Sequence, residues 1–295
     1  MSQAMLDRFA PWSISKSDLA AKCGRAFHLR YVQKLPRTTS EASRVGTAAH
    51  RVQELLLQGL EPKAALAQGL AEAIDLTMKE RLAVEALLPN MVSFVSRLAS
   101  FKDKHGMLDE GFERNMAVSK NFTAVGDDDP SIFARGVIDY DLHTKSDYVV
   151  VIDHKSGREH PVEKYAKQLD FYAILIEAAR PGIKGVHAAL HYIATGNIVW
   201  HHVRPAAVIR KTLRPHLMEY LTTRANSLGN FEPRVNTLCG WCDYLQHCPE
   251  GTAAVAAKKE EKRVATNTKA RERRVEKKRA LTVVYEDAPP EDSAD

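Results

Sequence analysis

The sequence predicts an α/β (α+β) domain, a mixed β-sheet core flanked by helices. Three observations carry this. Helical periodicity fills the first hundred residues, short strand-like runs follow from Gly111, and one of those runs, through Val149, Val150, Val151 and Ile152, is continuously apolar. A strand without alternation suits a position covered on both faces. With 295 residues, 44% of them hydrophobic and 27% charged, the chain can bury a substantial core as one large domain or as one domain with an appendage.

The elements follow in order. Ser15 and Asp18 have capping-box spacing, and Leu19, Cys23, Ala26, Phe27, Arg30 and Tyr31 continue at helical intervals towards a stop at Pro36. A second helix is predicted over 43–59, where Val45, Ala49, Val52, Leu55 and Leu56 form an apolar stripe with Gly46 and His50 on its flank. Residues 62–104 continue as one or more helices. Strands are predicted over 112–118 and 132–142, separated by the turn-rich 125–130, and a third over 148–153. Pro161 is placed to open a helix that carries Tyr165, Leu169, Tyr172, Ala173 and Ile176. A hairpin across Thr195-Gly196 and a helix over about 205–227 lead into a cysteine-rich segment.

A single core domain is expected to occupy residues 1–250 and a charged tail, helical and then disordered, residues 251–295. The net charge of +5 points to nucleic acid only weakly, because residues 258–280 hold eleven Lys/Arg against four Glu and residues 281–295 hold five acids and no base. That leaves +3 for residues 1–257, and the basic run reads as a solvated helix or disordered arm. No signal-peptide layout opens the chain and no long apolar run is evident, so no membrane partner and a cytoplasmic location are expected.

Asp153-His154-Lys155 ends the most apolar strand, and alternation turns Asp153 and Lys155 to one face and His154 to the other. Asp139, in Gly136-Val-Ile-Asp139, could supply a second carboxylate if the two strands pair antiparallel. Two carboxylates, the backbone carbonyl of His154 and water would suit Mg2+ or Mn2+, with the lysine orienting the attacking water or offsetting charge on a phosphate. Alone, each of these residues has a bland reading: an exposed strand end, a helix histidine, a surface amide, a core tyrosine.

Four blocks in order, Gly46-Thr-Ala-Ala-His50, Gly136-Val-Ile-Asp139, Ile152-Asp153-His-Lys155 and Gln168-Leu-Asp-Phe-Tyr172, resemble the RecB-like branch of the PD-(D/E)xK nucleases. The resemblance implies a restriction-endonuclease-like fold and a metal-dependent DNA exonuclease acting in recombination, repair, phage DNA processing or CRISPR adaptation. It places metal on His50, Asp139 and Asp153, hydrolysis on Lys155, and DNA positioning on Gln168 and Tyr172. Asp153 stands where many members have Glu, and Glu113 sits roughly where some have another acid, which fits a supporting role. DNA, single-stranded or with free ends, would be the substrate. No Gly-x4-Gly-Lys-Ser/Thr motif is present, so unwinding would need a helicase or recombination partner.

The chain holds four cysteines, Cys23, Cys239, Cys242 and Cys248. Four thiolates without a spare point to one metal site rather than disulfides in a reducing compartment. Tetrathiolate chemistry accepts zinc or an iron-sulfur cluster. The one distant cysteine plus Cys-x2-Cys-x5-Cys resembles the iron-sulfur members of this branch, which include the CRISPR-associated four-cysteine exonucleases and the AddB nuclease domain. That implies a 4Fe-4S cluster joining the N- and C-terminal segments, ahead of 2Fe-2S and zinc. Gly24 stands where the family often has proline. Two rival readings are a non-catalytic DNA-binding or scaffold protein that retains the fold and cluster, and a zinc-bearing regulator.

Overall fold

The computed structural model describes residues 2–286, with side chains described for residues 4–276. The N-terminal segment holds α1 (Ser2–Arg8), α2 (Ile14–Lys22) and α3 (Gly24–Phe27), the last running on through a wider turn at His28–Val32. Ser13, not Ser15, caps α2, its hydroxyl accepting from the Lys16 amide at 3.2 Å. The predicted continuous helix breaks at Cys23, whose backbone is extended (φ −163°, ψ 119°). Gly24 explains why no proline or larger residue stands after the break: a Cβ there would lie 2.9 Å from the Phe231 backbone.

Four helices then form one layer: α4 (Glu41–Leu57), α5 (Pro62–Glu72), α6 (Met78–Glu85) and α7 (Leu88–His105). Ser40 caps α4, and a complete capping box between Thr77 and Glu80 opens α6. By length and composition Met78–His105 could cross a membrane. In the fold this stretch is divided between α6 and α7, and Met91, Phe94 and Leu98 are buried in the protein's own core.

The sheet follows as β1 (Met107–Ser119), β2 (Ala124–Val125), β3 (Ile132–Thr144) and β4 (Tyr148–Lys155). The crossover helix is α8 (Ala166–Ala179). Next come β5 (Gly185–Tyr192), β6 (Asn197–Trp200), β7 (Arg204–Pro205), α9 (Ala206–Val208), α10 (Arg214–Asn226) and α11 (Pro249–Glu286). Strand order is β2-β1-β3-β4-β5-β6, with β7 also on β5. All neighbours are antiparallel except β4 and β5, which run parallel from Tyr148↔Gly185 to Lys155↔Tyr192. A parallel pair needs a long crossover, and α8 supplies it.

The sheet is covered on both sides, as the unbroken apolar run in β4 requires. Val149 and Val151 pack with Leu169 and Leu175 of α8, whereas Val150 and Ile152 pack with Phe94 and Leu98 of α7. Gly136 in β3 is needed for the closeness of α8: a Cβ there would meet Leu175 and Phe171 at 3.1 Å. The expectation of a disordered end falls on residues 287–295, outside the described residues.

Candidate metal centre and cysteine cavity

Register brings the acids together. The β3–β4 ladder runs from His143↔Val149 to Tyr140↔Ile152, so its next step sets Asp139 opposite Asp153. Asp139 lies midway along β3, where β4 stops pairing, and its Oδ2 accepts the freed His154 amide at 2.7 Å. Lys155 and Asp153 share a face as alternation requires, Nζ to Oδ2 at 2.5 Å. His154 turns to the other face, where its Nδ1 lies 2.9 Å from Nδ1 of His191 and its ring meets Phe94 edge-on.

From α4, His50 brings Nδ1 to 3.6 Å from Asp139 Oδ2. Gly46, one turn earlier, allows Ser156 to approach: a Cβ there would lie 2.9 Å from Ser156 Oγ. Among the described residues, His50, Glu113 and Asp139 form a group whose ligand atoms all lie within 4.8 Å of one another. Glu113 thus sits beside His50 and Asp139, in a group that does not include Asp153. Its backbone has φ +43°, uncommon for a residue with a side chain. Only the family resemblance marked it in the sequence, since propensity does not foresee a left-handed residue inside a strand.

From α8, Gln168 and Tyr172 converge on Asp153. Gln168 Nε2 donates to Asp153 Oδ1 at 3.0 Å and to the Tyr172 hydroxyl at 2.7 Å, and that hydroxyl donates to Asp153 Oδ1 at 3.3 Å. The i, i+4 spacing makes the pair possible. Gln168 Oε1 in turn accepts from Lys155 Nζ at 3.3 Å, so one amide spans both ends of the Asp-x-Lys motif.

Electrostatics mark the carboxylates as a cation site. Burial first, then Asp153 and Glu113, push the Asp139 carboxyl well above its ordinary range. Burial, then Glu54 and Asp153, raise Glu113. Burial lowers His50, which favours the neutral imidazole a metal needs. Asp153 Oδ2 is buried and has no well-aligned hydrogen bond, although the Lys155 ammonium pairs with it. Oxygen-rich donors with one neutral nitrogen fit Mg2+ or Mn2+. His50, Asp139, Asp153 and Lys155 line a cleft of about 880 Å³ whose walls also include Ser13, Ser15, Asp18 and Arg135.

The four cysteines, all free and half-buried, line a second cavity of about 490 Å³. Backbone amides point at the sulfurs: Arg234 to Cys23 at 3.4 Å, Asn236 to Cys239 at 3.3 Å and Gly251 to Cys248 at 3.4 Å. The Tyr244 amide serves Cys242. Burial raises the Cys242 and Cys248 thiols, and Cys23 adds to both shifts, so the N-terminal sulfur lies close enough to be felt by both. Thiol donors with N–H groups directed at them suit a thiolate-bound metal group. The break at Cys23 is what brings its thiol here. Arg37 and Thr38 bind Asp243, and Arg234 donates to the Ala20 and Ala21 carbonyls, so side chains also tie the two chain ends. Ser15 and Asp18 of α2 line both cavities.

No curated protein matches this chain. One solved structure, described as "Crystal structure of SSO0001", is similar at 17% identity over 81% of this chain and 98% of that one, with a TM-score of 0.32. The family model for the PD-(D/E)XK nuclease superfamily matches residues 11–249, which take in every residue of the acidic centre and all four cysteines. The chain therefore belongs to the PD-(D/E)XK nuclease superfamily.

Proposed function

We propose that this protein is a Mg2+- or Mn2+-dependent deoxyribonuclease that acts as an exonuclease at DNA ends, with residues 1–250 as the nuclease domain. The observation that supports this most is the meeting of His50, Glu113 and Asp139 beside the Asp153–Lys155 pair, at the point where β3 and β4 part. When bound, a divalent cation supplies Lewis acidity to the scissile phosphate. His50, Asp139, Asp153 and the His154 carbonyl would hold it, with Glu113 as a further oxygen donor.

The chain's own groups do the rest. Lys155, anchored between Asp153 and Gln168, offsets negative charge that gathers on the phosphate and orients the attacking water. Gln168 and Tyr172 hold Asp153 Oδ1, so they fix the carboxylate first and line the path of DNA second. The His154 amide orients Asp139 in the same way. A non-catalytic scaffold would have no use for this intact, mutually supported set.

The cysteine cavity is read as the seat of a 4Fe-4S cluster ligated by Cys23, Cys239, Cys242 and Cys248. The single distant cysteine beside Cys-x2-Cys-x5-Cys supports the 4Fe-4S cluster first, with 2Fe-2S next and zinc third. A cytoplasmic enzyme of recombination, repair, phage DNA processing or CRISPR adaptation, working with a helicase or recombination partner, fits a nuclease without an unwinding motif.

End-labelled linear DNA, single-stranded and duplex, compared with a covalently closed circle in Mg2+ or Mn2+ tests the end preference. Release of labelled nucleotides from linear DNA with the circle intact is expected. Equal cutting of the circle would overturn the exonuclease reading.

A further inference from the structure

Helix α11 leaves the fold at Cys248 and packs on the two short turns that carry the cysteines, Cys239–Trp241 and Leu245–His247. Every residue over 256–276 is exposed. A helix of 38 residues spans about 57 Å, so most of it is an arm standing in solvent. As a bare composition this basic run is unremarkable. Coiled at about 100° per residue, it is sorted: all Lys and Arg over 258–274 except Arg271 fall within an arc of about 160°. Glu260, Glu261 and Glu272 lie outside that arc, and Glu276 sits at its margin.

The face carries seven cations along about 24 Å, of which Arg263 is ion-paired with Glu260. Duplex DNA carries one charge per ~1.7 Å of its axis, so the helix offers a matching row of counter-charges. Among the described side chains of the arm, the large exposed apolar residues are Val264 and Val275, both on the side away from the cations. Over 256–276, two separated valines do not make the stripe that a lipid surface or a coiled-coil partner requires. The root of the arm is also favourably placed: the cysteine cavity shares α2 with the catalytic cleft, through Ser15 and Asp18.

We propose that the basic face of α11 is a phosphate-backbone grip that holds DNA outside the cleft. This rests on the reading of DNA as substrate, and it adds a binding surface remote from the acidic centre. Its test reads binding, not cleavage. Full-length protein is titrated with a short fluorescein-labelled duplex in EDTA over a range of salt. One variant carries Lys262→Gln, Lys269→Gln, Arg273→Gln and Arg274→Gln, and a second keeps the charges as Lys262→Arg, Lys269→Arg, Arg273→Lys and Arg274→Lys.

Each phosphate contact contributes a slope of about 0.9 in log K against log salt. The glutamine variant should therefore lose about 3 to 4 in slope and bind at least tenfold more weakly at low salt, while the charge-preserving variant matches wild type. No DNA binding by wild type, an unchanged slope and affinity in the glutamine variant, or equal losses in both variants would overturn the grip. Failure of the nuclease reading would appear separately, as absence of cleavage in Mn2+ whatever the binding curves show.

Discussion

Asp139→Asn should have opposite effects on the metal-free and the metal-bound protein. Asparagine keeps an oxygen to accept the His154 amide, so the strand end stays anchored. It removes a charge that Asp153 and Glu113 both repel. At 4.8 Å and an effective dielectric near 20, two carboxylates repel by about 3 kcal/mol before solvent screening. The sign follows from linkage. The folded pKa of Asp139 lies above its unfolded value, so the folded state binds the proton more tightly, and metal-free stability falls as pH rises from about 4 through the folded pKa. Above the folded pKa that penalty is fully present in wild type, and it is absent from the variant at every pH. Without metal, Asp139→Asn should melt at or above the wild-type temperature.

With Mn2+ at a hundred times its Kd, binding adds about 2.7 kcal/mol to wild type, or roughly 4 °C in Tm for a chain of this size. The variant should lose most of that shift. Calorimetry in EDTA and in Mn2+ reads both effects. A variant less stable than wild type in EDTA, or one that keeps the full Mn2+ shift, would refute the placement of Asp139 among the ligands.

Three further outcomes are expected. Lys155→Ala should slow cleavage by about 10²–10⁴-fold while the Mn2+-induced rise in Tm persists, because the role proposed for the ammonium is to act on the phosphate and not to hold the cation; loss of the Tm shift with it would make Lys155 a structural group. Tyr172→Phe keeps the buried ring and removes one hydrogen bond to Asp153 and one from Gln168, so unfolding in urea should show a loss of about 1 kcal/mol and single-turnover cleavage a moderate slowing, and an unchanged rate would remove the positioning role. Cys23→Ala should purify without its iron and sulfide and with far less soluble protein, since a structural metal group of this kind contributes on the order of 10 kcal/mol; equal iron in wild type and variant, high or negligible, would remove Cys23 from a cluster.

The strands and the site were legible for one physical reason: a strand end that carries Asp-x-Lys sets both groups on one face whatever the surrounding packing. The apolar run of β4 likewise required cover on both sides, and α7 and α8 provide it. What periodicity could not show were departures from regular backbone. Cys23 sits at helical spacing yet steps out of the helix, and its side chain lines the cavity that three cysteines more than two hundred residues away also line. Ser13 takes the cap that spacing assigned to Ser15. Glu113 reaches the acidic group through a positive φ inside a strand. The 3₁₀ turn at Val162–Tyr165 delays α8 beyond Pro161, which lets Gln168 enter at the height of Asp153. The basic run is the converse case: charge counting spreads it evenly, and helical geometry gathers it on one side.

The account is tested most directly by the rate of DNA cleavage as Mn2+ is titrated into metal-free wild type and Asp153→Asn. Wild type should be inactive in EDTA, gain activity with Mn2+ and saturate, while Asp153→Asn stays flat throughout. Cleavage in EDTA, or a variant curve that overlays wild type, would contradict the assignment of this centre.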